Sequence, residues 1–161
     1  MDLTFRTEQG RFNYRVCAVM IHDGKLLAMH DERSPYYYLP GGRVELHETA
    51  EHAVLREIRE ELEVEARISR PLWLVQNFFE EDVNHEKYHE LCLYFLMDIS
   101  ETDLLEKGRT FTLYERHHTH TFEWLDFEQL KSEYIYPQFI KEKIFCLPEN
   151  FEILTEFEYG E

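Results

Sequence analysis

The sequence predicts an α/β fold in which helices pack on the faces of a mixed β-sheet. Three observations indicate this class. Strand-like segments lie on both sides of one long amphipathic helix, short helical segments follow near the end of the chain, and the segment ELCLYFLMDI (90–99) is apolar on both faces. A strand of this last kind is typical of the middle of a sheet that is covered on two sides.

The segment FNYRVCAVMIHDGKLLAMH (12–30) predicts two strands joined by a turn at Asp23-Gly24, because Asp-Gly is a strong hairpin signal. Pro40-Gly41-Gly42 then interrupts the pattern. Since glycine has no Cβ, Gly41 and Gly42 allow close approach of another segment and allow backbone conformations that other residues resist.

A helix is predicted from Thr49 onward. Its apolar residues recur every four positions, which is one stripe of an amphipathic helix, at Ala50, Val54, Ile58 and Leu62. Thr49 is a suitable N-cap, although His52 stands where a full capping box has Glu or Gln.

The rest of the chain predicts alternating strands, loops and short helices. Strands are expected at 72–79, 90–99 and 119–125, loops at 80–87 and 100–109, helices at 126–133 and 138–145, and a final edge strand in the acidic segment 149–158.

The length of 161 residues, 43% of them hydrophobic, fits a single domain over residues 1–161. The 17 Lys and Arg against 33 Asp and Glu give a formal net charge of −16. Such a surface repels polymeric nucleic acid and anionic lipid, which bind clustered Lys and Arg. A phosphate-containing ligand therefore needs a cation other than a side chain, and a divalent metal ion meets that need.

No segment resembles the apolar core of a signal peptide or approaches the ~18 apolar residues of a membrane span. The three cysteines, Cys17, Cys92 and Cys146, are odd in number and widely separated. These cysteines predict reduced thiols and a cytoplasmic protein. The lack of an apolar span and the acidic surface predict that the protein does not associate with membranes.

The predicted helix collects carboxylates on one side. Glu57, Glu60 and Glu61 project from neighbouring positions because they are three and four residues apart. Two carboxylates about 6 Å apart, at an effective dielectric near 20, repel by roughly 2–3 kcal/mol. A solvated charged face is the ordinary interpretation of such a helix. The alternative is a site for Mg²⁺, which takes oxygen ligands and is held by a few carboxylates together with substrate phosphates.

The segment before and along this helix carries a longer pattern. It runs Gly42, five residues, Glu48, seven residues, Arg56-Glu-Ile-Arg-Glu-Glu61, one residue, then Glu63-Val64. This pattern resembles the Nudix box of the Nudix hydrolases, and the resemblance extends more loosely over most of the chain.

The chain departs from the box at one position, since Glu63 stands in place of the final glycine. In the family that glycine closes the helix. We therefore expect either a left-handed Glu63 at a cost of about 1 kcal/mol or a helix that continues for another turn.

The resemblance implies a Nudix-type α/β/α sandwich with a mixed central sheet. It also implies hydrolysis of a nucleoside diphosphate derivative by attack of water on phosphorus, with Mg²⁺ or Mn²⁺. By position, the metal ligands are expected to be the three helix carboxylates and the carbonyl of Gly41. Arg56 is expected to pair with these glutamates, and Glu48 is expected to support the geometry of the loop and the helix.

The general base stays open between Glu57 and Glu60, with Glu90 as a further candidate because it begins a strand after an acidic loop. Glu80, Glu81 and Asp82 are weaker candidates, for which a solvated loop is the favoured interpretation. Gly41, Gly42, Tyr38 and Glu90 are expected to contact the substrate.

Two other segments have alternative interpretations. Within Tyr36-Tyr37-Tyr38 a ring could stack on a nucleobase, or one or two of the rings could pack in the core. Arg116-His117-His118-Thr119-His120 could bind a transition metal, but in a strand His117 points away from the other two histidines.

Rival functions are a catalytically silent Nudix-fold domain that binds nucleotides or regulates, and an acidic buffer for divalent cations. The chain retains all box carboxylates, which favours the hydrolase. Markers of the ADP-ribose, diadenosine polyphosphate and NADH subgroups are absent, so no single substrate is selected. The expected partner is a small nucleotide, and a homodimer is compatible with this interpretation.

Overall fold

The protein is described here by a computed structural model covering residues 1–82 and 84–158. Residues 159–161 of the predicted domain and Val83 of the predicted loop 80–87 lie outside the described part. The described strands are β1 Thr4–Thr7, β2 Gly10–Val19, β3 Ile21–His22, β4 Lys25–Asp31, β5 Tyr37–Tyr38, β6 Gly41–Arg43, β7 Arg67–Glu80, β8 Lys87–Asp98, β9 Thr110–Glu115, β10 His118–Asp126, β11 Ile135–Tyr136 and β12 Glu152–Glu158. The helices are α1 Ala50–Leu62, α2 Phe127–Leu130 and α3 Ile140–Lys143, and Leu104–Lys107 forms a 3₁₀ turn.

The predicted α/β class is confirmed, and the strands are divided between two mixed sheets. The first sheet has the order β1-β2-β8-β7-β12, with β6 also paired to β2. The second has the order β11-β5-β4-β10-β9, with β3 also paired to β4. The pairs β2–β8, β7–β12 and β5–β11 are parallel, and the other pairs are antiparallel.

The predicted turn at Asp23-Gly24 is confirmed, but the hairpin that it closes is short. Both residues have left-handed φ angles, 52° and 71°, as a two-residue primed turn requires. Only β3 and β4 pair across it, through Ile21↔Leu26 and His22↔Lys25. The long strand β2 pairs instead with β8, so the segment 12–30 contributes to both sheets.

The remaining strand predictions are confirmed by β7, β8 and β10, each of which is longer than predicted. Strand β8 lies between β2 and β7, which is the central position expected for a strand apolar on both faces. The acidic segment near the end forms the edge strand β12. The predicted helices at 126–133 and 138–145 are reduced to the single turns α2 and α3.

Helix α1 begins and packs as its sequence predicts. The Oγ1 of Thr49 accepts a hydrogen bond from the His52 N–H at 3.1 Å. Val54, Ile58 and Leu62 are fully buried in a core that includes side chains of both sheets. A second core contains residues of α2 and α3, so helices cover two faces of the strands. None of the described helices is long and apolar enough to cross a membrane.

The structure decides between the two expectations for Glu63. The helix ends at Leu62, and Glu63 adopts a left-handed conformation with φ 59° and ψ 33°. Its N–H donates to the carbonyl of Arg59 at 3.0 Å. The residue therefore closes the helix as a glycine would, with the steric cost of a Cβ.

We expect Glu63→Gly to stabilise the protein by about 1 kcal/mol, because glycine adopts this conformation without that cost. Urea denaturation would measure the gain. Glu63→Ala is the matched control, since it removes the same charge and keeps the Cβ. An equal gain from the alanine variant would show that charge, and not backbone conformation, is responsible.

Candidate active site

The two glycines before the helix allow β6 to pack closely against β2 and against the Glu57 side chain. Gly41 and Gly42 lie in β6, opposite Cys17 and Val16 of β2. A Cβ on Gly41 would lie 2.1 Å from the Val16 carbonyl oxygen, and a Cβ on Gly42 would lie 2.3 Å from the Glu57 carboxylate. The expected close approach is therefore found. The expected unusual backbone conformation is not, because the described glycines with positive φ lie elsewhere.

The carboxylates of α1 differ in their surroundings. Glu57 and Glu61 are buried, each about 6% exposed. The Oε1 of Glu61 accepts a hydrogen bond from the Gly41 N–H at 3.1 Å. Glu60 lies at the rim with a side chain that is 36% exposed. Two of the three predicted ligands thus point toward the β6 glycines instead of bulk solvent.

Arg56 connects the loop before the helix to these carboxylates. Its Nε and Nη2 donate to the two oxygens of Glu48 at 2.7 and 2.9 Å, and Nη2 also donates to the Arg43 carbonyl at 3.1 Å. Its Nη1 donates to Glu57 at 2.9 Å and to Glu60 at 3.5 Å. The guanidinium therefore fixes Glu57 against the helix surface while it anchors the loop.

Glu48 is a nearly buried anion that holds the loop. Besides Arg56, it accepts hydrogen bonds from the Glu45 N–H at 3.0 Å and interacts with Nδ1 of His52 at 2.9 Å. The hydrogen bonds from Arg56 lower the pKa of Glu48 to about 2, helped by the Glu45 N–H and opposed by burial. Glu48 stays ionised at neutral pH, and its contacts are with the protein.

Burial and mutual repulsion act on the two inward carboxylates. Burial raises the pKa of Glu57, which Arg56 partly offsets. Burial also raises the pKa of Glu61 well above its usual value, and the charges of Glu57 and Glu115 raise it further. These groups therefore share one region of low solvent access, where a positive ion would lower their energy.

Glu115 and Arg116 also belong to this cluster. Their place in it was not predicted from the sequence, because they come from the distant β9–β10 hairpin. Arg116 and His117 form its two-residue turn with φ angles of 50° and 66°. Arg116 donates a hydrogen bond to Glu60 at 2.9 Å and forms an ion pair with Glu115 at 3.3 Å. No local pattern connects these residues to α1, 56 positions earlier in the chain.

The donor chemistry of this cluster fits Mg²⁺ or Mn²⁺, since Glu57, Glu60 and Glu61 offer carboxylate oxygens in one region. Within residues 1–82 and 84–158, no three His, Cys, Asp or Glu side chains are already arranged as a metal site. Arg56 and Arg116 form ion pairs with Glu57 and Glu60 at 2.9 Å each.

The three adjacent tyrosines have different environments. Tyr37 and Tyr38 pack against the two cores, and their hydroxyls donate to Glu123 and Asp31 at 2.7 and 3.2 Å. Tyr36 instead contacts two other tyrosine rings, with centroids 5.5 Å away at Tyr134 and 5.0 Å away at Tyr136. The interpretation of core packing thus fits Tyr37 and Tyr38, whereas Tyr36 contacts the rings of Tyr38, Tyr134 and Tyr136.

Glu90 lies in β8, as its predicted place in a strand requires, but the strand begins earlier, at Lys87. It is 8% exposed and accepts a hydrogen bond from Asn13 Nδ2 at 3.3 Å. The residues Glu80, Glu81 and Asp82 lie where β7 ends, and Glu80 interacts with His85 at 3.1 Å.

The histidine segment is divided between the β9–β10 turn and the start of β10. His118 interacts with Glu32 at 3.1 Å, and His120 is buried 3.9 Å from Glu115. The interpretation as a preformed transition-metal site is not supported among the described residues.

The family model for the NUDIX domain matches residues 11–143 of this chain. Among proteins of curated function, none matches the chain in sequence.

Several solved structures are similar in fold. A NUDIX hydrolase from Nitrosomonas europaea has a TM-score of 0.59 and 14% identity, over 94% of this chain and 82% of that one. An ADP-ribose pyrophosphatase from Streptococcus suis 89-1591 has a TM-score of 0.57 and 12% identity, over 89% and 98%. A UDP-X diphosphatase has a TM-score of 0.57 and 17% identity, and the match covers 87% of this chain but only 66% of that protein. At these identities the likeness establishes the fold.

Proposed function

The chain belongs to the NUDIX family of phosphoanhydride hydrolases, and we propose that it cleaves the diphosphate linkage of a nucleoside diphosphate derivative with Mg²⁺ or Mn²⁺. The observation that carries this proposal is the pair of buried carboxylates, Glu57 and Glu61, against the backbone of Gly41 and Gly42. The names of two structural neighbours, a UDP-X diphosphatase and an ADP-ribose pyrophosphatase, are consistent with such a substrate.

The proposed ligands of the divalent ion are Glu57, Glu60, Glu61 and the carbonyl of Gly41. When bound, such an ion offsets the charge of diphosphate oxygens and acidifies a water molecule. Arg56 keeps Glu57 in position through its bond at 2.9 Å, and Glu48 keeps Arg56 in position through two bonds. Hydrogen bonds thus connect Glu48 of the loop, through Arg56, to the proposed metal ligand Glu57.

Glu60 is the proposed proton acceptor for the attacking water. Its side chain is 36% exposed, whereas the side chain of Glu57 is only 8% exposed. Water therefore reaches Glu60 more readily. Glu90 is buried on β8 and accepts a hydrogen bond from Asn13 at 3.3 Å, so we assign it no proton transfer.

An activity screen tests the proposal. The protein is incubated with nucleoside triphosphates, nucleotide sugars and dinucleotides, with Mg²⁺, with Mn²⁺ or with a chelator. We expect release of a phosphorylated nucleoside product that the chelator abolishes. Nucleotide binding without turnover would contradict the proposal and favour a silent binding domain of the same family.

The two glycines of β6 predict separate effects on stability and activity. We expect Gly41→Ala to cost about 1–3 kcal/mol of stability, because its Cβ would meet the Val16 carbonyl, which is fixed in β2. We expect Gly42→Ala to cost less, because its Cβ meets the end of the flexible Glu57 side chain. The displaced carboxylate should instead lower kcat.

Urea denaturation and steady-state kinetics on both variants would measure this contrast, and each variant serves as the control for the other. Full activity of Gly42→Ala would contradict the placement of Glu57 in the site.

A further inference from the structure

Arg15 is a half-buried cation that the protein does not neutralise by direct contact. It lies on β2, opposite Arg43 of β6 and Cys92 of β8. Its Nε is buried and has no hydrogen-bond partner, and the described residues form no ion pair with its guanidinium. A buried guanidinium without such partners is costly, so its retention calls for a ligand.

The other arginines near the acidic cluster already have partners. Arg56 binds Glu48 and Glu57, and Arg116 binds Glu60 and Glu115. A substrate with several negative charges would approach a chain whose net charge is −16. Arg43 lies 4.0 Å from Asp2, whereas the described residues around this cluster form neither an ion pair nor a hydrogen bond with Arg15.

The charge of Arg15 interacts both with Glu90 and with the α1 carboxylate Glu61. Burial acts to lower the pKa of Arg15, and the charge of Glu90 raises it above its ordinary value. Burial raises the pKa of Glu61, and the positive charge of Arg15 offsets a smaller part of that rise. Cys17, two residues after Arg15 on the same face of β2, pairs with Gly41, whose N–H binds Glu61.

Asn13 and Glu90 form a buried hydrogen-bonded pair beside Arg15. Asn13 is two residues before Arg15 on the same face of β2 and pairs directly with Glu90 on β8. Both are buried, at 4% and 8% exposure, and Asn13 Nδ2 donates to Glu90 Oε2 at 3.3 Å. A carboxylate fixed in this way attracts the guanidinium without closing an ion pair, so its donors remain available for a phosphate.

We propose that Arg15 binds the phosphate of the diphosphate substrate that lies farther from Glu57 and Glu61, and that Glu90 acts through Arg15 as a positioning residue. The inference rests on the proposed function, because it assumes a diphosphate at the α1 carboxylates. It assigns Glu90 a role in substrate binding that differs from proton transfer.

Binding of methylenediphosphonate, a diphosphate that cannot be hydrolysed, tests the role of Arg15. Isothermal titration calorimetry in Mg²⁺ compares wild type with Arg15→Gln, Arg15→Lys and Arg11→Gln. Arg11 is the matched control, since it lies on the same face of β2 but binds Glu86 at 3.2 Å. We expect Arg15→Gln to bind about 10- to 100-fold more weakly, Arg15→Lys to be intermediate, and Arg11→Gln to resemble wild type.

Kinetics on the best substrate of the activity screen separate the two roles of Glu90. We expect Arg15→Gln and Glu90→Gln to raise KM by about 10-fold or more while kcat changes by only a few-fold. If Glu90 were the proton acceptor, Glu90→Gln would instead lower kcat and remove the acidic limb of its pH profile. Melting curves of every variant show whether it is folded, and Arg15→Lys keeps the test decisive if the glutamine variant unfolds.

The outcomes distinguish this inference from the proposed function. Wild type that hydrolyses a diphosphate, together with an Arg15→Gln variant that binds methylenediphosphonate equally well, would overturn the inference and leave the function intact. Wild type that hydrolyses none of the diphosphates would overturn both. Weaker binding by Arg15→Gln, with Arg11→Gln unchanged, supports Arg15 as the phosphate contact.

Discussion

Glu61→Gln is expected to lower kcat/KM by at least about 100-fold, since loss of even a group that supports a metal ligand has effects of 10- to 100-fold. Glu61 is the most constrained of the α1 carboxylates, because it is 6% exposed and bonded to the Gly41 N–H at 3.1 Å. Glutamine keeps the size of the side chain and an oxygen for that hydrogen bond. The loss should therefore reflect the missing charge.

The same variant should be more stable in metal-free buffer. Burial, together with the charges of Glu57 and Glu115, raises the pKa of Glu61, so keeping this carboxyl in the fold costs free energy at pH values above its unfolded pKa. A relief of about 1 kcal/mol corresponds to a rise in Tm of roughly 2–4 °C for a chain of this size. Differential scanning calorimetry with a chelator would detect it.

Glu51→Gln is the control for both measurements, because Glu51 lies on the same helix and is exposed to solvent. It should change neither activity nor Tm appreciably. Full activity of both Glu60→Gln and Glu61→Gln would show that the metal ligands are wrongly assigned.

Arg56→Met is expected to destabilise the protein by about 3–5 kcal/mol, which is the scale for breaking a buried ion pair by removing one partner. The Glu48 side chain is 8% exposed and takes two hydrogen bonds from Arg56. Methionine fills a similar volume but leaves that carboxylate buried without its cation. Urea denaturation would measure the loss, and activity should fall as Glu57 loses its partner.

Arg59→Met is the matched control on the same helix. Arg59 pairs with Glu65, and both side chains are exposed, at 51% and 74%. Exposed pairs contribute about 0–1 kcal/mol, so this variant should be close to wild type in stability and activity. Equal losses in the two variants would mean that Arg56 acts only through general effects on the helix.

The sequence alone determined the structural features that depend on interactions between neighbouring residues. The start of α1 at Thr49 and the turn at Asp23-Gly24 depend on neighbouring residues, and both were predicted correctly. The clustering of Glu57, Glu60 and Glu61 follows from helix geometry alone. The loop and helix pattern around them indicated the family before the fold was known.

Only the tertiary structure decided which distant segments meet. The pairing of β2 with β8 joins residues about 75 positions apart, and it replaced the long hairpin that the local turn signal suggested. The same long-range packing brought Glu115 and Arg116 to the carboxylates and set Arg15 beside Glu90.

The contrast between these two groups has a physical reason. Helix caps, tight turns and contacts between residues three or four apart in a helix are short-range interactions. Their free energies depend on a few consecutive residues. The surroundings of a charge depend instead on which strands pair and on what they bury, and many sequences of similar pattern can pair differently. The sequence therefore identified the acidic groups and their partner Arg56, whereas their burial, the contact of Glu60 with Arg116 and the raised pKa of Glu57 and Glu61 depend on the fold.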